Sequence, residues 1–140
     1  MRVLAAVAIV AVAGCSGPPE YRPAPGTLVS GTAHVTINGQ DAGTTEAVDC
    51  STTEWLTTIT TGDQRSGVTA MVSNKDDLTA ETITINNLGG FTGSYNAGLG
   101  GKADVKMIDQ TYEISGTADG FDTAQPSFRK SGTFAIKVSC

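Results

Sequence analysis

The chain has 140 residues, with nine Lys and Arg against 14 Asp and Glu, and a net charge of −5. That length suits one domain. An acidic balance without a clustered Lys/Arg stripe repels phosphate backbones, which argues against a nucleic-acid partner.

The first element is a leader. Arg2 supplies a positive n-region and Val3 to Ala13 an unbroken apolar h-region. The run is too short to span a bilayer, which takes roughly 20 apolar residues. It closes on Val12-Ala13-Gly14-Cys15, a large aliphatic, two small residues and a thiol. That order is a lipobox. It predicts cleavage before Cys15, whose sulfur receives a diacylglyceryl group and whose amine becomes the new N-terminus. The weaker alternative is a plain signal peptide with an accidental cysteine. Two acyl chains hold a protein on a membrane without any spanning helix. Removing residues 1–14 leaves 126 residues and, with Arg2 gone, a charge of −6.

Residues 15–30 read as an acylated cysteine and a tether. Pro18, Pro19, Pro23 and Pro25 favour an extended polyproline-II spacer of about 30 Å, at about 3 Å per residue. Thr27, Ser30 and Thr32 follow the prolines and are candidate O-glycosylation positions.

Residues 31–140 alternate as short strands separated by Gly, Asn and Asp turns. His34-Val35-Thr36-Ile37 alternates and Asn38-Gly39 signals a tight hairpin turn. Strands are then expected at Glu46 to Cys50, Trp55 to Thr61 and Val68 to Ser73. Asn74 to Asp77 reads as a polar loop, and residues 75–81 hold one helical turn at most. Glu81 to Asn86 alternates with Ile83 and Ile85 on one face, and Phe91 to Tyr95 continues past a turn. Ala103, Val105 and Met107 face one way; Tyr112, Ile114, Gly116 and Ala118 return along the same face after Asp109-Gln110. The last strand turns Phe134, Ile136 and Val138 inward. One dry face and one wet face mean that the sheet closes on itself. The expected fold is all-β, a single antiparallel β-sandwich or partly open barrel.

With Cys15 lipidated, Cys50 and Cys140 remain as an even pair in an exported protein. An oxidising compartment favours a disulfide between them, with free thiols or intermolecular pairing as the alternatives. Closing a loop of about 90 residues would contribute about 4–5 kcal/mol in the chain-entropy model.

Sites for chemistry are sparse. His34 is the sole histidine, and it lies on the solvated face of its strand. A nucleophile elbow is missing, and Asn96 and Ala103 break the glycine and hydroxyl positions of a phosphate loop. Asp76 and Asp77 lack calcium-loop spacing, and no zinc ligand set exists. Asp119 and Asp122 flank what reads as a loop, and Asp63 and Asp109 read as turn residues. Trp55 reads as a core anchor. No catalytic residue, metal or cofactor is expected.

The lipobox, Val35-Thr36-Ile37-Asn38-Gly39-Gln40-Asp41 and Val48-Asp49-Cys50 resemble the mycobacterial LpqH-type (19 kDa antigen) lipoproteins. So do the run Tyr112 to Asp122 and the ending Phe134 to Cys140, in order and with similar spacing. The tether departs from the pattern, being proline-rich where the family has a longer Ser/Thr-rich stretch. The resemblance implies a surface-exposed, acylated envelope lipoprotein on the extracytoplasmic face of the cell membrane. It implies acylation at Cys15, a Cys50–Cys140 disulfide, and recognition by a host Toll-like receptor through the acyl chains. It offers no catalytic residues.

Two functional readings follow. The first is a non-enzymatic antigen, adhesin or envelope-interaction module. The second is a carrier or chaperone of an apolar envelope lipid, for which Phe91, Tyr95, Phe121 and Phe128 are the candidate contacts.

Overall fold

A computed structural model of the chain describes residues 25–140. The leader, Cys15 and the tether up to residue 24 lie outside the described residues. Among those described, ten strands form one antiparallel sheet and no helix occurs. They are β1 (Thr32–Ile37), β2 (Gln40–Thr45), β3 (Val48–Thr53), β4 (Leu56–Gly62) and β5 (Gly67–Ser73). Then come β6 (Thr79–Leu88), β7 (Phe91–Asn96), β8 (Ala103–Ile108), β9 (Thr111–Asp122) and β10 (Lys130–Ser139). Their order across the sheet is β2-β1-β10-β9-β7-β6-β5-β4-β3, with β8 also on β9. The sheet curls into a nearly closed barrel, and β2 and β3 are its two ends.

Local sequence explains most of the joins. Asn38 and Gly39 both take positive φ, 51° and 78°, the pair of left-handed residues that a type I′ hairpin requires. Thr57, Ile59, Thr61 and Val68, Ala70, Val72 point inward while the residues between them point out. β9 changes partner along one edge. Its first half pairs with β8 and its second half with β7, while β10 lines its other edge throughout. Gly120 sits in the second half, where a side chain would collide with the carbonyl of Thr92 on β7.

The core is the barrel interior. Ile59, Ile83, Ile85, Ile114, Ile136 and Val138 are buried in it, and Phe91 fills one end. The Phe91 ring lies against two glycines, one on each flank. A Cβ on Gly93 or Gly132 would come within 2.7 or 2.8 Å of it. Cys50 in β3 is bonded to Cys140 just past β10, across a sequence separation of 90, with Cα atoms 5.9 Å apart. The bond ties the β3 end of the sheet to the end of β10, the third strand from the opposite end, and so holds the barrel shut.

Two expectations need correction. Trp55 is not a core anchor: it occupies the two-residue turn between Thr53 and Leu56 and is 44% exposed, with the Lys75 ammonium over its ring. Asp119 and Asp122 do not flank a loop; both lie in β9. Residues 75–81 contain no helix, within the limit of one turn expected for them, and β6 begins at Thr79.

Candidate functional site

The barrel presents two contrasting outer faces. The first runs across β1, β10, β9 and β8. Cross-strand register aligns His34 with Lys137, Lys137 with Glu113, and Glu113 with Lys106. The alternation that sends Val35, Ile114 and Ile136 inward sends these charges outward. Glu113 takes Lys106 at 3.1 Å and Lys137 at 3.3 Å. The two ammonium groups, Lys106 first, hold its carboxyl below the usual carboxylate range. His34 Nε2 lies 3.2 Å from an Asp41 oxygen. The Gly43 amide and then His34 lower the Asp41 pKa. Among the described residues no hydroxyl or thiol hydrogen-bonds to His34, so the pair lacks a nucleophile to activate.

The second face runs across β4 to β7 and the far half of β9. Register aligns Thr60, Thr69, Thr84, Ser94 and Asp119 in one row. Threonine suits this place because its β-branch packs on a pleated surface while its hydroxyl faces water. The four hydroxyl residues of the row form the floor of a cleft of about 650 Å³. One wall is the turn at Asp63 and Gln64; the other is Asp119, Phe121 and Arg129. The turn is braced, since Asp63 Oδ1 accepts the Arg65 and Ser66 amides and Asn86 donates to the Gln64 carbonyl. Asp119 Oδ1 accepts the Ser131 hydroxyl at 2.9 Å. Arg129 has no ion pair among the described residues.

The four candidate apolar contacts are not brought together. Phe91 is buried in the core and Tyr95 packs against it. Phe121 is half-buried in the cleft wall, and Phe128 stands 70% exposed in the loop before β10. Of the candidate glycosylation positions, Ser30 is exposed. Thr27 is half-buried beside Asp109 and Gln110, and Thr32 donates its hydroxyl to the Val29 carbonyl. Sequence reasoning passed over the hydroxyl row, because its members are scattered over five strands and only register assembles them. No set of three or more His, Cys, Asp or Glu side chains among the described residues could hold a metal ion.

Known proteins resemble this chain along its length. The profile of the Mycobacterium 19 kDa lipoprotein antigen family matches residues 26–140. A putative lipoprotein of Mycobacterium indicus pranii is 39% identical over 117 residues, covering 83% of this chain and 84% of the relative. One from Mycobacterium avium subsp. hominissuis is 34% identical over 139 residues, 99% of this chain and 92% of the relative. Lipoprotein LpqH of Mycobacterium tuberculosis is 31% identical over 107 residues, 76% of this chain and 67% of the relative. The matched span takes in every strand and both cysteines of the disulfide: the chain belongs to the Mycobacterium 19 kDa lipoprotein antigen family.

Proposed function

We propose that this chain is a non-enzymatic interaction module of the cell-envelope surface, anchored by acyl chains on Cys15. Membership in a lipoprotein family implies a lipid-anchored location at the membrane. The observation that carries the finer reading is the lipobox Val12-Ala13-Gly14-Cys15 upstream of a family domain that begins at residue 26. Between them lies the proline-rich tether, which separates the barrel from the lipid. The lone histidine, paired with Asp41 and lacking a nucleophile, supports a binding role over a hydrolytic one. A carrier of an apolar lipid needs a dry cavity. Here Phe91 and the isoleucines pack on one another, which favours the surface module over the carrier.

Intact mass of the protein from its own host tests this reading. The expected mass lacks residues 1–14, carries a diacylglyceryl group, and is two hydrogen atoms lighter for the disulfide. Sugars on Thr27, Ser30 or Thr32 would appear in the same spectrum. Cys15→Ser is expected to leave the envelope fraction and to lose signalling through a host Toll-like receptor. An unacylated parent, or a variant that stays in the envelope, would overturn the anchor. Lipid that copurifies in stoichiometric amount inside the barrel would restore the carrier.

A further inference from the structure

We propose that the cleft over β4 to β7 binds a neutral saccharide, with Phe121, Asp119 and Arg129 as the recognition groups. The inference rests on the surface-module reading and names the partner class of that module.

Four observations point to a sugar. The floor is uncharged and made of hydroxyls, from Thr60, Thr69, Thr84 and Ser94. None of these hydroxyls makes a hydrogen bond to another protein group among the described residues, so all four are open to a ligand. Strand spacing places successive hydroxyls about 4.8 Å apart, a step close to the length of one sugar ring. The wall supplies what ring recognition needs. Phe121 offers an aromatic surface for the C–H face of a sugar. Asp119 keeps one carboxylate oxygen unused after the Ser131 hydroxyl takes the other. The Arg129 guanidinium presents a planar fork of donors with no ion pair of its own. A carboxylate and a guanidinium on one wall suit adjacent hydroxyls, which both donate and accept. Asp119 and Arg129 balance on this wall, and the Asp63 carboxylate of the opposite wall accepts two backbone amides, so the cleft offers no surplus cation to an anionic ligand. The cleft is also large enough to take a short oligosaccharide, since ligand sites run about 300–1,000 Å³.

The contrasting face shows why this cleft and not another. Lys106, Lys137 and Glu113 line a hollow over β8, β9 and β10, yet they satisfy one another. Among the described residues, the hydroxyl face brings open donors, open acceptors and an aromatic ring together.

The test uses the full acylated chain in detergent, applied to an array of neutral oligosaccharides. One arm carries glycans from its own cell envelope and the other carries glycans from host cell surfaces. The expected result is saturable binding in at least one arm, which identifies the source. Arg129→Ala and Phe121→Ala are each expected to weaken it about tenfold, as loss of a charge-assisted hydrogen bond or an aromatic contact would. Thr84→Lys, which places a charge in the floor, is expected to abolish it. Lys106→Ala, on the other face, is expected to leave it unchanged. Circular dichroism and an intact disulfide establish that each variant is folded. No binding in either arm by folded protein overturns the proposal, and so does binding that Arg129→Ala, Phe121→Ala and Thr84→Lys all leave intact. A chain that proves unacylated but still binds glycans would remove the anchor and keep the cleft.

Discussion

Across β1, β10, β9 and β8 the outward row reads His34, Lys137, Glu113, Lys106; across β4 to β7 it reads Thr60, Thr69, Thr84, Ser94. Both rows follow from the same period of two, and both stand on the same core. They differ in whether their polar groups are already occupied. On the charged face Glu113 has the Lys106 and Lys137 ammonium groups at 3.1 and 3.3 Å and Asp41 has the His34 imidazole at 3.2 Å, so these groups largely occupy one another. On the hydroxyl face the side chains have nothing to hold. One barrel therefore presents two outer surfaces of different character: one whose charged groups largely occupy one another, one whose hydroxyls are unoccupied among the described residues. Exposed ion pairs contribute little to stability, about 0–1 kcal/mol each, so the charged face is not the source of the fold's strength.

That strength lies where the two faces are joined, and the largest predicted effect tests the joint. Phe91 belongs to β7 beneath the hydroxyl face, and its ring reaches Gly132 of β10 beneath the charged one. Phe91→Ala should cost about 3–5 kcal/mol, because the ring leaves a hole between two glycines that cannot fill it. Urea denaturation should show a single transition at a lower midpoint. Two transitions would mean that the faces are separate folding units. The disulfide is the second joint. Replacing both Cys50 and Cys140 by Ser should cost about 2–5 kcal/mol, read as a fall in melting temperature. A variant that melts like the parent would show that the β3 end of the sheet is held by packing alone.

The faces also differ in how they answer acid. Glu113 has its pKa lowered from the usual 4.5 by Lys106 and Lys137. A carboxyl with a lower pKa folded than unfolded contributes stability that is fully present above 4.5 and lost as pH falls through the folded value. Asp41 behaves alike from its usual 3.8. Stability should therefore drop on acidification below about pH 4.5, and Glu113→Gln should flatten that part of the profile. High salt should flatten it too, since the pairs are exposed enough to be screened. An unchanged acid limb in Glu113→Gln would leave the ion-pair network without energetic consequence.

How much of this was legible in the sequence varied with the strength of the pattern. β6, β8, β9 and β10 were readable because apolar side chains, such as Ile83 and Ile85, Ala103 and Val105, Tyr112 and Ile114, and Ile136 and Val138, recur at every second position there. β2 was not, because Gln-Asp-Ala-Gly-Thr-Thr carries no large apolar residue. It is an end strand that pairs only with β1, so nothing obliges it to alternate. The strand expected at Glu46 to Cys50 runs instead from Val48 to Thr53, since Glu46 and Ala47 are spent on the crossing from β2. Trp55 misled because hydrophobicity says core while the Thr53–Leu56 pairing leaves only a turn for it. Gly120 misled because glycine signals turns, whereas here it makes room for the Thr92 carbonyl. The cysteine pair was legible from arithmetic and compartment. The cleft was not legible at all. Each threonine looked like an ordinary strand former, and only the register of five strands turns them into one surface.

The smallest predicted effect is the one that most sharpens the contrast. Thr69→Val and Thr84→Val keep the β-branch and the shape of the hydroxyl face but remove two open hydroxyls. Neither hydroxyl bonds to another protein group among the described residues, so none of those is stranded by its loss. Stability should change by no more than about 0.5 kcal/mol for each, the range for surface positions outside a network. If a structural role were hidden there, the double variant would lose several times that amount in chemical denaturation, and the face would belong to the fold. If stability holds while saccharide binding falls, the hydroxyls are kept for a partner, because folding gives no reason to keep them.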